Sequence, residues 1–199
     1  KILLPKDYIR FKLSGAFATD VSDASGMSLL DVGARTWSDE MSEACGLKGA
    51  MLPEVFESPE VSARLSDDLA RRFGFRPGIP IVAGAGDQAA GAVGSGVVGF
   101  GTIACSLGTS GVVFAPAREF APEPEGRLHA FCAAAPGTWH YMGVQLSCAG
   151  SYQWFGDRLA EGVPFGQLDD EAAAVAPGSE GLYFLPYLSG ERMPHADPN

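Results

Sequence analysis

The sequence predicts an α/β fold, and three observations carry that prediction. Strand-like apolar runs alternate with helix-like segments along the chain. The stretch 79–115 joins a continuous apolar run to a glycine-flanked carboxylate, Asp87, and then to a segment of small residues. Helix start and stop signals bracket several of the segments on either side.

In chain order, 1–13 carries Leu4, Tyr8, Phe11 and Leu13 as an apolar face, and Ser14-Gly15 stops it, which predicts a short amphipathic helix. The run 18–26 is dense in Asp, Ser and Thr, side chains that bond to nearby backbone, so it reads as a capped turn. Leu29-Leu30-Asp31 reads as a strand end. Ser38 is then an N-cap with Asp39 and Glu40 in the first turn, and Gly46 ends that helix after about Cys45. The spacing of Val61, Leu65, Leu69 and Phe73 predicts one amphipathic helix over 59–73, closed by Gly74. The apolar run 79–83 suits a strand covered on both faces.

Beyond the focal stretch, 118–127 is charged and proline-rich and reads as an exposed loop. Strands follow over 128–134 and 139–146 about a Pro136-Gly137 turn. Helices over 147–160 and 170–175 come next, and then an apolar strand over 181–188. No residue from Gln88 to Ala117 is charged, so that part is expected to be buried in protein or lipid. A membrane helix over 89–113 is disfavoured because seven glycines interrupt the stretch and leucine occurs once.

A formal net charge of −10 excludes the basic face that a nucleic-acid partner requires and disfavours an anionic membrane surface. The four cysteines show no metal-ligand spacing and read as reduced, buried thiols of a cytoplasmic protein. The three histidines are scattered, so no metal site is assigned. The chain opens on Lys1 without a signal-peptide pattern and reads as a piece of a longer protein.

Two chemistries fit the focal stretch. Gly84-Ala85-Gly86-Asp87-Gln88-Ala89 matches the GxGxxA dinucleotide fingerprint, but the next acid after Asp87 is Glu119, too far on to hold a ribose. An aspartate inside that motif would also repel pyrophosphate. The second reading makes Asp87 a catalytic base at a helix N-terminus, where the dipole and free N–H groups favour a charged carboxylate. Such a group accepts the proton of an alcohol attacking phosphorus, and Gln88 beside it offers a donor and an acceptor to sugar hydroxyls. A plain N-cap role for Asp87 stays open at this point. Gly108-Thr109-Ser110-Gly111, about 20 residues on, is either a hairpin turn or a loop whose N–H groups bind phosphate without a lysine.

On these residues the sequence resembles the FGGY carbohydrate kinases, with its nearest likeness in the branch that phosphorylates xylulose. The likeness extends to Thr19-Asp20-Val21-Ser22-Asp23-Ala24-Ser25 and to Leu185-Pro186-Tyr187-Leu188-Ser189-Gly190-Glu191-Arg192. It implies an actin-like ATPase (ribonuclease H-like) fold, with 1–97 in a first, sugar-binding domain and 98–199 in a second, nucleotide-binding one, flanking a cleft. It implies ATP and Mg²⁺ as cofactors, a sugar as substrate (D-xylulose first, then L-ribulose, gluconate, glycerol or an alditol), and it allows a homodimer.

By the same resemblance Asp87 takes the proton of the sugar hydroxyl and Gln88 contacts the sugar. Gly108 and Thr109 contact the ATP phosphates, and Ala149 and Gln153 lie near the nucleotide. Asp20, Ser22 and Asp23 are given a structural role. The family's first phosphate loop has no counterpart in the chain, so the chain alone is expected to be inactive. A non-catalytic sugar- or nucleotide-sensing module is the rival reading.

Overall fold

Helix α1 (Pro5–Ser14) starts on a proline, whose fixed φ suits the first turn, and ends on Gly15 at φ 79, whose N–H donates to Phe11 O. The computed structural model that shows this describes residues 1–198. The face of α1 that is buried is Asp7 and Arg10, whereas Tyr8 and Leu13 of the expected apolar face are exposed. Residues three apart share a helix face, and here the pair is an ion pair at 2.9 Å, which is what allows its burial.

Strand β1 (Ala18–Asp20) runs parallel to β4 (Glu54–Phe56). Between them lie α2 (Val21–Ala24), the short antiparallel pair β2 (Leu30–Asp31) and β3 (Thr36–Trp37), and α3 (Asp39–Ala44). The expected N-cap Ser38 forms, its Oγ accepting from Met41 N at 3.1 Å, and within the 18–26 run Asp20 caps α2 by accepting from Ser22 N and Asp23 N.

The single helix expected over 59–73 is instead strand β5 (Val61–Arg64) followed by α4 (Asp67–Phe73). Two of its four supposed apolar-face residues, Val61 and Phe73, are exposed. The local signals agree with the break: Asp67 and Asp68 sit in the first turn of α4, Arg71 and Arg72 in the last, and Gly74 caps it in the left-handed region. Strand β6 (Pro80–Val82) pairs antiparallel with β5 and is half-exposed, so it is not covered on both faces as its composition suggested.

Helix α5 (Asp87–Gly94) buries Ala89 and Ala92 against Phe114. Strands β7 (Ala104–Leu107), β8 (Gly111–Ala117), β9 (His129–Cys132) and β10 (Trp139–Gln145) follow, in sheet order β7-β8-β10-β9. The hairpin about Pro136-Gly137 is as read, with Trp139 opposite Cys132. Most of 88–110 is exposed, against the expected burial. The exposed residues there include Val93, Val98, Phe100, Ile103 and Leu107 as well as glycine, serine and alanine.

Helices α6 (Ala149–Arg158) and α7 (Phe165–Ala173) complete the regular elements, and neither buries a residue. Helix α7 begins five residues before the expected 170, with Pro164 at its N-cap. The strand expected over 181–188 does not form: its backbone finds no ladder, only an isolated bridge from Leu188 to Gly190, and Leu182 and Tyr183 are exposed. All four cysteines are free thiols, but Cys45 and Cys105 are exposed rather than buried.

The chain divides into two compact units. The first comprises Lys1–Ala104, Phe114–Glu123 and His129–Met142; the second comprises Cys105–Val113, Pro124–Leu128 and Gly143–Asn199. Both clusters of buried apolar residues, one about Val21, Ala24, Leu30 and Cys132 and one about Ala89, Ala92 and Phe114, belong to the first unit. No helix among the described residues is long and apolar enough to cross a membrane.

Candidate functional site

In the first unit, β6 delivers the chain through Gly84-Ala85-Gly86 to the start of α5, where Asp87 is the first helical residue and Gly86 the N-cap. Asp87 is therefore not the N-cap itself. It is exposed, and its Oδ1 accepts from Gln88 N–H at 2.7 Å. A carboxylate one step into the helix keeps the dipole's support while projecting away from the capping position.

Asp87 and Gln88 line a cleft of about 100 Å³ with Ser22, Asp23, Phe131 and His140. Burial pushes the Asp23 carboxyl up from its ordinary value, an effect that the Lys6 ammonium 3.7 Å away opposes. His140 is 2% exposed, stacks on Phe114 with ring centroids 4.1 Å apart, and has Nδ1 buried without a hydrogen-bond partner. Burial pushes its pKa down to about 4, so the ring is neutral near pH 7. Ser22, Asp23 and His140 are the site residues that sequence reading missed. The dense Asp-Ser run over 18–26 was the available signal for the first two; nothing local marks His140.

In the second unit the 106–110 loop is exposed and is held by the start of α6. Cys148 N and Gly150 N donate to Thr109 O at 2.8 and 3.1 Å, and Ala149 N donates to Gly108 O at 2.9 Å. With those carbonyls turned toward α6, the trans peptide turns the following N–H groups, of Thr109 and Ser110, the opposite way. That is the arrangement an anion needs, and it comes from the loop rather than from the helix N-terminus, whose N–H groups are engaged. The packing is tight: a Cβ at Gly150 would lie 3.0 Å from Thr109 O, and one at Gly111 would lie 2.9 Å from Cys148 Cβ.

The structure thus brings Asp87 and Gln88 together in one cleft and ties Gly108 and Thr109 to Ala149 through backbone bonds. Gln153 is exposed on α6, where its Nε2 donates to Asp157 Oδ1 at 2.8 Å.

Comparison with known proteins matches two family domains in succession along the sequence, whereas the compact units of the structure interleave across 104–143. Residues 1–94 match the N-terminal domain of the FGGY family of carbohydrate kinases, and residues 103–199 match its C-terminal domain. The xylulose kinase of Escherichia coli (strain K12) is 45% identical over 199 residues, all of this chain and 40% of the relative. The crystal structure of a xyloylose kinase from Brucella ovis superposes with a TM-score of 0.92 at 43% identity, covering 100% of this chain and 41% of that one. A gluconate kinase from Lactobacillus acidophilus superposes with a TM-score of 0.89 at 25% identity, covering 97% of this chain and 39% of that one. The chain spans about two fifths of the length of these relatives. The fold is accordingly that of the actin-like sugar kinases, and with both family domains matched in order along its length, the chain belongs to the FGGY family of carbohydrate kinases.

Proposed function

We propose that a full-length protein carrying this chain is an ATP-dependent, Mg²⁺-requiring kinase that phosphorylates D-xylulose to D-xylulose 5-phosphate. The observation that carries the reading is Asp87: an exposed carboxylate on the first turn of α5, opening onto a cleft beside Gln88. In this reading Asp87 accepts the proton of the attacking sugar hydroxyl and Gln88 orients the sugar. The outward N–H groups that follow Gly108 and Thr109 bind ATP phosphates, and Ala149 and Gln153 border the nucleotide. We place 1–97 in the sugar-binding domain and 98–199 in the nucleotide-binding domain of a cytoplasmic enzyme.

Among the described residues no group of three or more His, Cys, Asp or Glu is placed to hold a metal ion. Mg²⁺ is therefore assigned to no residue of this chain. Xylulose is preferred because relatives at 45% identity carry that name, and gluconate is the second reading because a Lactobacillus acidophilus neighbour carries that one.

The test is coupled ADP release by the full-length protein across D-xylulose, L-ribulose, gluconate, glycerol and alditols, with and without Mg²⁺. Turnover confined to D-xylulose is the expected result. Turnover on gluconate alone replaces the substrate. Absence of any sugar-dependent ADP release from folded protein overturns the kinase reading in favour of a sensing module.

A further inference from the structure

A cluster of buried charges surrounds the turn that leads into α5. Lys6 Nζ lies 2.7 Å from Asp7 Oδ1 and 2.9 Å from Asp20 Oδ1, and Arg10 Nη1 donates to Asp7 Oδ1 at 2.9 Å and to Ala18 O at 2.5 Å. Asp7 and Asp20 are 0% exposed and Arg10 is 4% exposed. Charges this deep are costly unless each is matched, and the matching fixes their geometry. The same cations hold the turn. Both Lys6 Nζ, at 3.3 Å, and Arg10 Nη2 donate to Ala83 O, the carbonyl where β6 gives way to the glycines. Gly84 N donates to Ser58 O at 2.9 Å, and Ser58 Oγ donates to Asp20 Oδ2 at 3.0 Å.

Ser22 links this cluster to the helix. Its hydroxyl donates to Asp20 Oδ2 at 2.5 Å, and its oxygen accepts from Gly86 N–H at 3.0 Å. A hydroxyl has one proton. With that proton committed to a buried carboxylate, the oxygen presents a lone pair to the amide directly before Asp87. Gly86 is the N-cap of α5, its own N–H has no intrahelical carbonyl to reach, and Ser22 supplies the acceptor.

We infer that Ser22, held by Asp20 and Lys6, is a positioning residue for Asp87: it anchors the Gly86 amide and so fixes the turn from which the base projects. The inference rests on reading Asp87 as the base. It replaces the purely structural role that sequence alone gave to the 18–26 run.

Ser25 provides a matched control. It is 5% exposed, as Ser22 is, and also makes two hydrogen bonds, donating to Val21 O at 2.7 Å and accepting from Cys132 N at 3.1 Å, but it touches nothing at the start of α5. The experiment compares Ser22→Ala, Ser25→Ala and Asp87→Asn in the full-length protein by steady-state kinetics and by amide hydrogen exchange over 86–90. Ser22→Ala is expected to lower kcat by about 10- to 100-fold, as a roughly 1 Å misplacement does, with KM for sugar and ATP nearly unchanged and faster exchange at 86–90. Ser25→Ala is expected to show neither effect.

Unchanged exchange at 86–90 in Ser22→Ala, or an equal kcat loss in Ser25→Ala, overturns the inference. If Ser22→Ala does not fold, Ser22→Cys keeps the volume while supplying a much weaker acceptor, and the same outcomes apply to it. Retained turnover in Asp87→Asn would remove the base reading by itself, and the exchange measurement would still decide whether Ser22 holds the turn.

Discussion

The start of α5 and the 106–110 loop are each held by hydrogen bonds from elsewhere in the chain, yet they are built from opposite materials. Before α5 the backbone is gripped by side chains, Lys6, Arg10 and Ser22, which are tied to buried carboxylates. At the loop the grip is main chain on main chain, with the amides of Cys148, Ala149 and Gly150 on the carbonyls of Gly108 and Thr109. The first arrangement fails when a functional group is removed. The second fails when bulk is added, because glycines at 111 and 150 are what let the two segments meet.

The largest expected effect is at Asp87. Asp87→Asn in the full-length protein should cut turnover by about 10² to 10⁴, the usual worth of a positioned general base, while ATP affinity is kept. An equal loss of ATP affinity would break the separation of roles between the two regions. Next comes His140, which lines the Asp87 cleft. Its folded-state pKa is depressed, so its neutral form stabilises the fold fully above the unfolded value of about 6.5, and that stability is lost as pH falls from there toward about 4. The loss reaches roughly 3 kcal/mol, and His140→Phe should flatten that acid limb in urea unfolding followed by tryptophan fluorescence. An unaltered acid limb would assign it to other groups.

Gly150→Ala sharpens the contrast from the loop's side. Its methyl must displace Thr109, and overpacking of that size, about 1–3 kcal/mol, should raise the Kd for ATP about tenfold or more while leaving the KM for sugar unchanged. A change in sugar KM alone would count against the loop as the phosphate contact. The smallest effect is expected at Gln153, whose amide is already paired with Asp157 along α6. Gln153→Ala should weaken ATP binding by no more than about threefold, in line with the small worth of an exposed i,i+4 pair. A larger loss in isothermal titration would restore Gln153 as a direct nucleotide contact.

Local signals carried much of this into the sequence. Gly15, Ser38 and Gly74 each act through the backbone within a few residues, and each does in the structure what its chemistry suggests. The strand, glycine turn and helix around Asp87 were legible for the same reason. What failed was inference about burial. Val61, Leu65, Leu69 and Phe73 match a helical period by coincidence, because strand pairing with β6 outweighs that pattern. The burial of Asp7 and Arg10 had no local mark: they pair with each other three residues apart, but Arg10 also donates to Ala83 O, 73 residues away. Ser22 looked like a local cap because its second bond reaches Gly86, 64 residues away. The role of a hydroxyl that both donates and accepts is decided by the more distant partner, which no local pattern shows.

The locked carbonyls of Gly108 and Thr109 have an entropic consequence. A loop that closed only around its ligand would lose backbone freedom on binding, at about 1–2 kcal/mol for each residue ordered. Here three amides of α6 hold the loop's carbonyls before any ligand arrives, so that ordering belongs to folding rather than to association. A phosphate meeting Thr109 and Ser110 would encounter N–H groups already fixed in direction, and substitutions that loosen the α6 contact should register chiefly in the entropy of nucleotide binding.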